Sequence, residues 1–411
     1  MSQAAASRPD RLLGLDALRG LALFGILVVN SAAFASPYYG TGLVDPAFAR
    51  PLDQAVRGLV SLLFETKFYL LFSFLFGYSF TLQMDAADRA GAAFVPRFLR
   101  RLGGLAVIGL AHGLLFFHGD ILSTYALLGL VLLALRRWEP ARALKLGAAL
   151  VAACAAAWGV LGLLVAWQGG PGNPAAGMIQ AQSALAAYQG TVATTVAQHA
   201  RELGAGVWAV LLLTQGPCAF GLFLAGLAAG RRKFLASPGN GGPWPRRLVL
   251  AGLPIGGAGA LGYVLLGRGG EASGLLGLAL DLATAPFLAA AYLGLALLGF
   301  QTRPGQRLVR LLAPAGRMAL SNYLIQSVAC SFIFTAYGWR LHGRVAPLGV
   351  LLIAVVIYAC QLILSAWWLR RHAYGPLEWL LRALTNARWP AWRQGAGPVS
   401  PSESGTGPTN A

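Results

Sequence analysis

The chain reads as an all-α polytopic membrane bundle of about ten transmembrane helices with both termini cytoplasmic, and three observations predict it. Its 411 residues are 57% hydrophobic and only 11% charged, about half the charged fraction of an ordinary soluble domain. Apolar runs near the ~20 residues that cross a bilayer recur along the whole length, and mean hydropathy is +0.62. The basic residues also fall on alternating sides of those runs.

The spans are expected at 12–35, 58–82, 98–117, 121–135, 144–167, 207–230, 248–266, 275–300, 314–337 and 346–369. The fourth is short and must tilt little or sit in a thinned region. The link His118-Gly119-Asp120 makes the third and fourth a tight hairpin. With the N-terminus inside, 25 of the 32 Lys and Arg residues lie at inner ends; six (Arg50, Arg57, Arg201, Arg268, Arg340 and Arg344) lie outside, and Lys67 lies within a span. Positive-inside asymmetry then gives two cytoplasmic termini and an even number of spans. It also accounts for the net charge of +18, so nucleic acid is not an expected partner: the charges are dispersed at helix ends rather than gathered on one face. The expected place is the bacterial cytoplasmic (inner) membrane, with membrane lipids as neighbours.

The opening could be mistaken for a cleaved signal, with 21–29 as its apolar region and Ala33-Phe34-Ala35 as the cleavage site. Asp16 and Arg19 interrupt that pattern, and the apolar length suits a full span. The chain is expected to form a single transmembrane domain over 1–394. It carries an outer segment at 168–206, a Gly/Pro-rich cytoplasmic linker at 231–247 and a Ser/Gly/Pro-rich disordered tail at 395–411. Cys154, Cys218, Cys330 and Cys360 lie in apolar runs without paired spacing and read as small buried residues. No Walker loop, HExxH or CxxC occurs. The histidines at 112, 118, 199, 342 and 372 are scattered, so no metal is expected.

Polar groups inside spans are costly and mark function by default. Asn30 lies 11 residues past Arg19, and His112 lies 11 past Arg101. At 1.5 Å and about 100° per residue each pair shares a helix stripe, about 16 Å apart, so Asn30 and His112 sit near the bilayer midplane. Lys67, ten residues past Arg57, and Asp281, ten past Glu271, reach a similar depth from the other side. Glu65 lies somewhat nearer the outside, and Asp120 at the outer mouth of the hairpin. Each group also has a plain structural reading. Asn30, and the pairs Asn322/Gln326 and Gln361/Ser365, read as interhelical amide bonding. Lys67 can pair with a carboxylate, and Asp120 can cap the fourth span. His112 within reach of a carboxylate becomes a general base. Arg19, Arg100, Arg101 and Arg317 at the inner ends form either a cytoplasmic anion site or simple positive-inside anchors.

Five stretches carry a family resemblance: RLLGLDALRGLALFGILVVN (11–30), ETKFYLLFSFLFGYSF (65–80), RRLGGLAVIGLAHGLLFFHGDILSTYALLG (100–129), AGRMALSNYLIQS (315–327) and QLILSAWWLRRHAYGPLEWLLR (361–382). They resemble the YeiB-like bacterial membrane proteins, which carry the domain of unknown function 418. More weakly, the LDALRG…N opening resembles transmembrane acyltransferases of the heparan-glucosaminide N-acetyltransferase and acyltransferase-3 type. That resemblance implies acyl transfer from cytoplasmic acyl-CoA to a hydroxyl or amine of a small-molecule or glycan acceptor at the outer side. In those enzymes a histidine near the end of the first helix serves the reaction; residues 31–39 hold none here, so His112 would have to replace it. CoA phosphates would then rest on Arg19, Arg100, Arg101 and Arg317. Asp120 would orient His112 or meet the acceptor, and Asn30 or Lys67 would stabilise the thioester oxyanion. The competing expectations are a small-molecule or lipid permease with Lys67, Asp120 and Asp281 as coupling charges, and a structural or sensory protein whose polar groups only join helices.

Overall fold

The computed structural model describes residues 8–169, 174–204, 208, 211–235 and 243–393. The tail expected at 395–411 lies outside them. Among the described residues the architecture is helical, with one isolated bridge between His372 and Arg393. Eight helical segments are long and apolar enough to cross a membrane, and two shorter apolar helices, Leu122–Ala134 and Ala319–Phe334, accompany them. Together they match the ten predicted spans. Cys154, Cys218 and Cys330 are buried, but Cys360 is exposed; it lies on an apolar helix in a chain whose natural surroundings are lipid.

Helix α1 (Arg8–Ala35) is central. Its Leu15, Leu18, Leu23 and Leu27 are nearly inaccessible, so it is wrapped by protein rather than lipid. The close contact is to α12 (Arg303–Arg317), through two glycines. A Cβ on Gly316 would lie 1.8 Å from the Asp16 carbonyl oxygen, and one on Gly20 would lie 2.5 Å from that of Leu312. Small residues let backbones approach in this way. Gly316→Ala must therefore push α12 off α1, and we expect a loss of about 1–3 kcal/mol, read as a lowered Tm in detergent.

The second predicted span is not one helix. Helix α2 (Pro51–Leu63) ends and α3 (Lys67–Arg89) begins across a turn in which Thr66 has φ 63°. A β-branched residue rarely takes that conformation. What holds it is the Thr66 hydroxyl, which donates to Asp281 Oδ2 at 2.6 Å. The break ends the straight-helix depth count for Lys67. Helices α4 (Phe94–Leu115) and α5 (Leu122–Ala134) form the expected hairpin, and α6 (Pro140–Gln168) follows.

The outer segment folds into α7 (Pro174–Gln189) and α8 (Val192–Glu202). They are separated at Gly190 by a capping box in which Thr191 and Thr194 bond reciprocally. The chain continues through α9 (Gly216–Arg231), α10 (Trp244–Leu266) and α11 (Glu271–Phe300). After α12 come α13 (Ala319–Phe334), α14 (Pro347–Trp368) and α15 (Pro376–Asn386). The amides of α13 and α14 bond each other. Asn322 Nδ2 donates to Ser365 Oγ at 2.9 Å, and Gln326 Nε2 to Gln361 Oε1 at 2.8 Å.

Candidate functional site

Helices α1 and α4 carry the two polar stripes; side chains from or just beyond their ends come near each other, Arg19 and Arg101 at one end and Phe34 and Phe117 at the other. At the basic end Arg19 donates to Asp16 Oδ1 at 2.7 Å and to Ser79 Oγ of α3 at 2.6 Å. Arg101 lies in the field of Arg19, Arg382 and Glu378, and Asp16 in that of Arg19 and Arg317. Arg19, Arg101, Arg317 and Arg382 thus surround two carboxylates, an excess of positive charge. The Arg101 Nε is buried without a hydrogen-bond partner. Arg100 turns away, donating to the Thr385 carbonyl at 3.1 Å. Glu378 caps α13 by accepting from Leu320 N at 2.6 Å and Ser321 N at 3.0 Å; burial raises its carboxyl pKa, and those bonds oppose the rise. Neither Glu378 nor Arg382 was singled out from sequence, although both stand in the GPLEWLLR stretch.

At the opposite end Phe34 of α1 stacks on Phe117 beyond α4, with centroids 4.4 Å apart. A helix end leaves carbonyls without partners, and here side chains from distant elements supply them. His199 Nδ1 meets the Leu114 carbonyl at 3.2 Å, Tyr337 the Leu115 carbonyl at 2.6 Å, and Ser331 the Phe116 carbonyl at 2.9 Å. On α1, His342 Nδ1 meets the Phe34 carbonyl at 2.8 Å. A carbonyl only accepts, so both histidines hold their proton on Nδ1. Tyr188 packs against both rings, at 5.3 and 4.9 Å. Its hydroxyl bonds Glu202, which also contacts His118 Nδ1 at 2.6 Å. The histidines that look scattered in sequence are therefore gathered: His118, His199 and His342 line one small cavity with Phe117 and Tyr188. Among the described residues no group of His, Cys, Asp and Glu is arranged to hold a metal.

This layer has a definite pH response. Burial, with His118 nearby, lowers the His199 pKa to about 4, and burial lowers that of His342 to about 4. For Glu202 burial acts upward, but the bonds and charge of His118 and the bonds of Tyr188 and Gln198 win and hold it at about 2. As pH falls from about 6.5 toward 4 the unfolded chain binds protons at both histidines that the folded chain refuses. Stability falls over that window, by roughly 2 kcal/mol per histidine at pH 5. The contribution of Glu202 is present above its unfolded value and is lost only as pH drops toward 2. The Tm should be lower at pH 5 than at pH 7, and His199→Gln with His342→Gln should shrink the difference.

Between these ends stands the dyad. His112 Nδ1 lies 2.8 Å from Asp120 Oδ1, both groups almost inaccessible. Asp120 Oδ2 accepts from the backbone N–H and the hydroxyl of Ser123, at 2.9 and 2.8 Å. Asp120 therefore both caps the first turn of α5 and holds the imidazole. With Asp120 as the accepting carboxylate and His112 neutral, Nδ1 carries the proton and Nε2 presents its lone pair. That Nε2 is buried and has no hydrogen-bond partner, beside the Tyr323 ring at 5.1 Å. Asn30 lies on α1 one turn before Phe34 and is half-buried.

Lys67 belongs to a second place. It donates to Asp281 Oδ1 at 2.8 Å and to the Ser61 carbonyl at 3.1 Å, and both charged side chains are wholly inaccessible. Depth alone had grouped Lys67 with His112 and Asn30; its hydrogen bonds go to α2 and α11 instead.

Comparison with known proteins supplies the family. Residues 229–388 match the profile described as protein of unknown function (DUF418). The chain is 33% identical to the uncharacterized protein YxaH of Bacillus subtilis (strain 168), over 92% of this chain and 95% of that one. It is 32% identical to the uncharacterized protein YeiB of Escherichia coli (strain K12), over 92% and 96%. The chain belongs to the YeiB-like DUF418 family. A third relative, an uncharacterized 39.9 kDa protein in the amylase 3′ region of Bacillus acidopullulyticus, is 29% identical over 93% of this chain and 96% of its own. No solved structure matches. The DUF418 profile takes in Asp281, Arg317, Glu378 and Arg382; His112 and Asp120 precede it.

Proposed function

We propose that this DUF418 protein is an acyltransferase of the bacterial inner membrane, taking an acyl group from cytoplasmic acyl-CoA to a hydroxyl or amine acceptor at the other side. The observation that carries the reading is the dyad. One imidazole nitrogen is fixed by a doubly anchored carboxylate, and the other is free and dry. That is the base-and-orienter arrangement of nucleophilic acyl chemistry. His112 Nε2 takes the acceptor's proton as the acceptor attacks the thioester carbonyl. The C–S bond breaks, and the proton passes to the leaving thiolate, giving acylated acceptor and CoA thiol. The cluster of Arg19, Arg101 and Arg317, with Arg382, suits the CoA phosphates, since guanidinium forks match phosphate oxygens. Asn30, on the α1 stripe, is the candidate donor to the oxyanion.

A permease is the second reading, and the sealed Lys67–Asp281 pair favours it, because buried ion pairs serve as coupling charges in carriers. Acetyl-CoA supplied to the purified protein separates the two. The acyltransferase releases CoA thiol, and His112→Ala stops the release while CoA still binds. No release by the unaltered protein across a panel of amine and hydroxyl acceptors would overturn the assignment.

A further inference from the structure

The end of the molecule opposite the arginine cluster contains a cavity of ≈1300 Å³, larger than the ~300–1,000 Å³ that suits drug-sized ligands. Its walls are mostly apolar, from Val28, Val60, Val264, Leu275 and Val350. None of His112, Asp120, Arg19 and Arg101 lines it, so what it binds does not depend on the acyl-transfer reading.

The charges around it do not balance. On its lining Asp45 and Glu271 are matched in number by Arg57 and Arg268. Lys67 and Asp281 bond each other at 2.8 Å behind the wall, both inaccessible. That leaves Glu65, which lines the cavity itself and has the Ser61 hydroxyl and the Tyr263 phenol in bonding reach; the Lys67 ammonium, 5.9 Å from the Tyr263 ring centroid, lies in the field of Glu65 while bonded to Asp281, so two carboxylates share one cation. Tyr39, on the cavity wall, lies in its field. A carboxylate facing an apolar chamber is costly without a counter-charge of its own. Aromatic faces beside an acid are the chemistry that recognises ammonium groups. Arg57, on α2, also lines the cavity, its guanidinium anchored on the Phe48 carbonyl at 2.8 Å.

We propose that this outer cavity binds an amphipathic molecule with an ammonium head, with Glu65 as counter-ion, Tyr39 and Tyr263 beside it, and the apolar walls taking the hydrocarbon part. The shared chemistry fits the head of an aminophospholipid or a free alkylamine.

The test uses the full chain in a neutral maltoside detergent, with binding read by calorimetry. Dihexanoyl phosphatidylethanolamine should bind at least ten-fold more tightly than dihexanoyl phosphatidylglycerol. Glu65→Gln should abolish that preference, and Tyr39→Ala, a change in a loop that leaves the helices untouched, should weaken it several-fold even if Glu65→Gln fails to fold. Competition by hexylamine identifies a free amine as sufficient; its failure to compete identifies the phospholipid. Equal binding of the two lipids, binding of neither, or a preference that survives both substitutions overturns the proposal.

Discussion

Replacing Lys67 with Met should cost about 3–5 kcal/mol of stability, the typical penalty for stranding one member of a buried ion pair. Asp281 would keep the Thr66 hydroxyl at 2.6 Å but lose the cation bonded to it, at zero exposure. The cost has a structural target as well. The Lys67–Asp281 and Thr66–Asp281 bonds tie the break between α2 and α3 to α11, so the turn with Thr66 at φ 63° loses a support. The double change Lys67→Met, Asp281→Leu should be much milder than either single one, because it removes both charges together. Thermal unfolding in detergent of the four proteins forms a double-mutant cycle. Additive losses would show that the pair does not act as a unit. Retained transport or thiol release in the double variant would further show that the pair is a fastening and not a coupling device.

His112→Ala should lower turnover by at least 10²–10⁴-fold, the contribution expected of a positioned base. Asp120→Asn is the more informative change. An asparagine could still accept from Ser123, but it no longer offers a charged acceptor to His112 Nδ1 and can instead donate to that nitrogen. The proton would then move to Nε2, removing the lone pair on which the chemistry depends. The two variants should therefore be nearly equal in activity, with Asp120→Asn retaining folding and CoA affinity. A variant Asp120→Asn with full turnover would show that the carboxylate only caps α5.

The spans were legible because apolar length is a composition signal that needs no tertiary knowledge. The His112–Asp120 dyad was legible for a related reason: the partners lie eight residues apart across a hairpin the sequence announces with HGD. Lys67 was read as one of several charges at a common depth, but helical rise fixes depth only within an unbroken helix, and Thr66 breaks it. Its partner Asp281 is 214 residues away, beyond any local rule. The outer cluster was missed for the same cause. His199 reaches Leu114 across 85 residues, and His342 reaches Phe34 across 308; they find those places because helix ends need donors, a demand visible only once the ends are placed. Glu378 and Arg382 were hidden in an amphipathic helix after the last span, where a charge reads as solvated surface.

In the proposed function, a base on α4 moves an acyl group supplied at the arginine end. Sealed proteoliposomes test it most directly. Acetyl-CoA labelled in the acetyl group is supplied on the arginine side alone, with an amine or hydroxyl acceptor enclosed on the other. Free CoA thiol is expected on the side of supply and label on the enclosed acceptor, both lost in His112→Ala. Thioester left intact, or label crossing as whole acetyl-CoA at the same rate in His112→Ala, would contradict it.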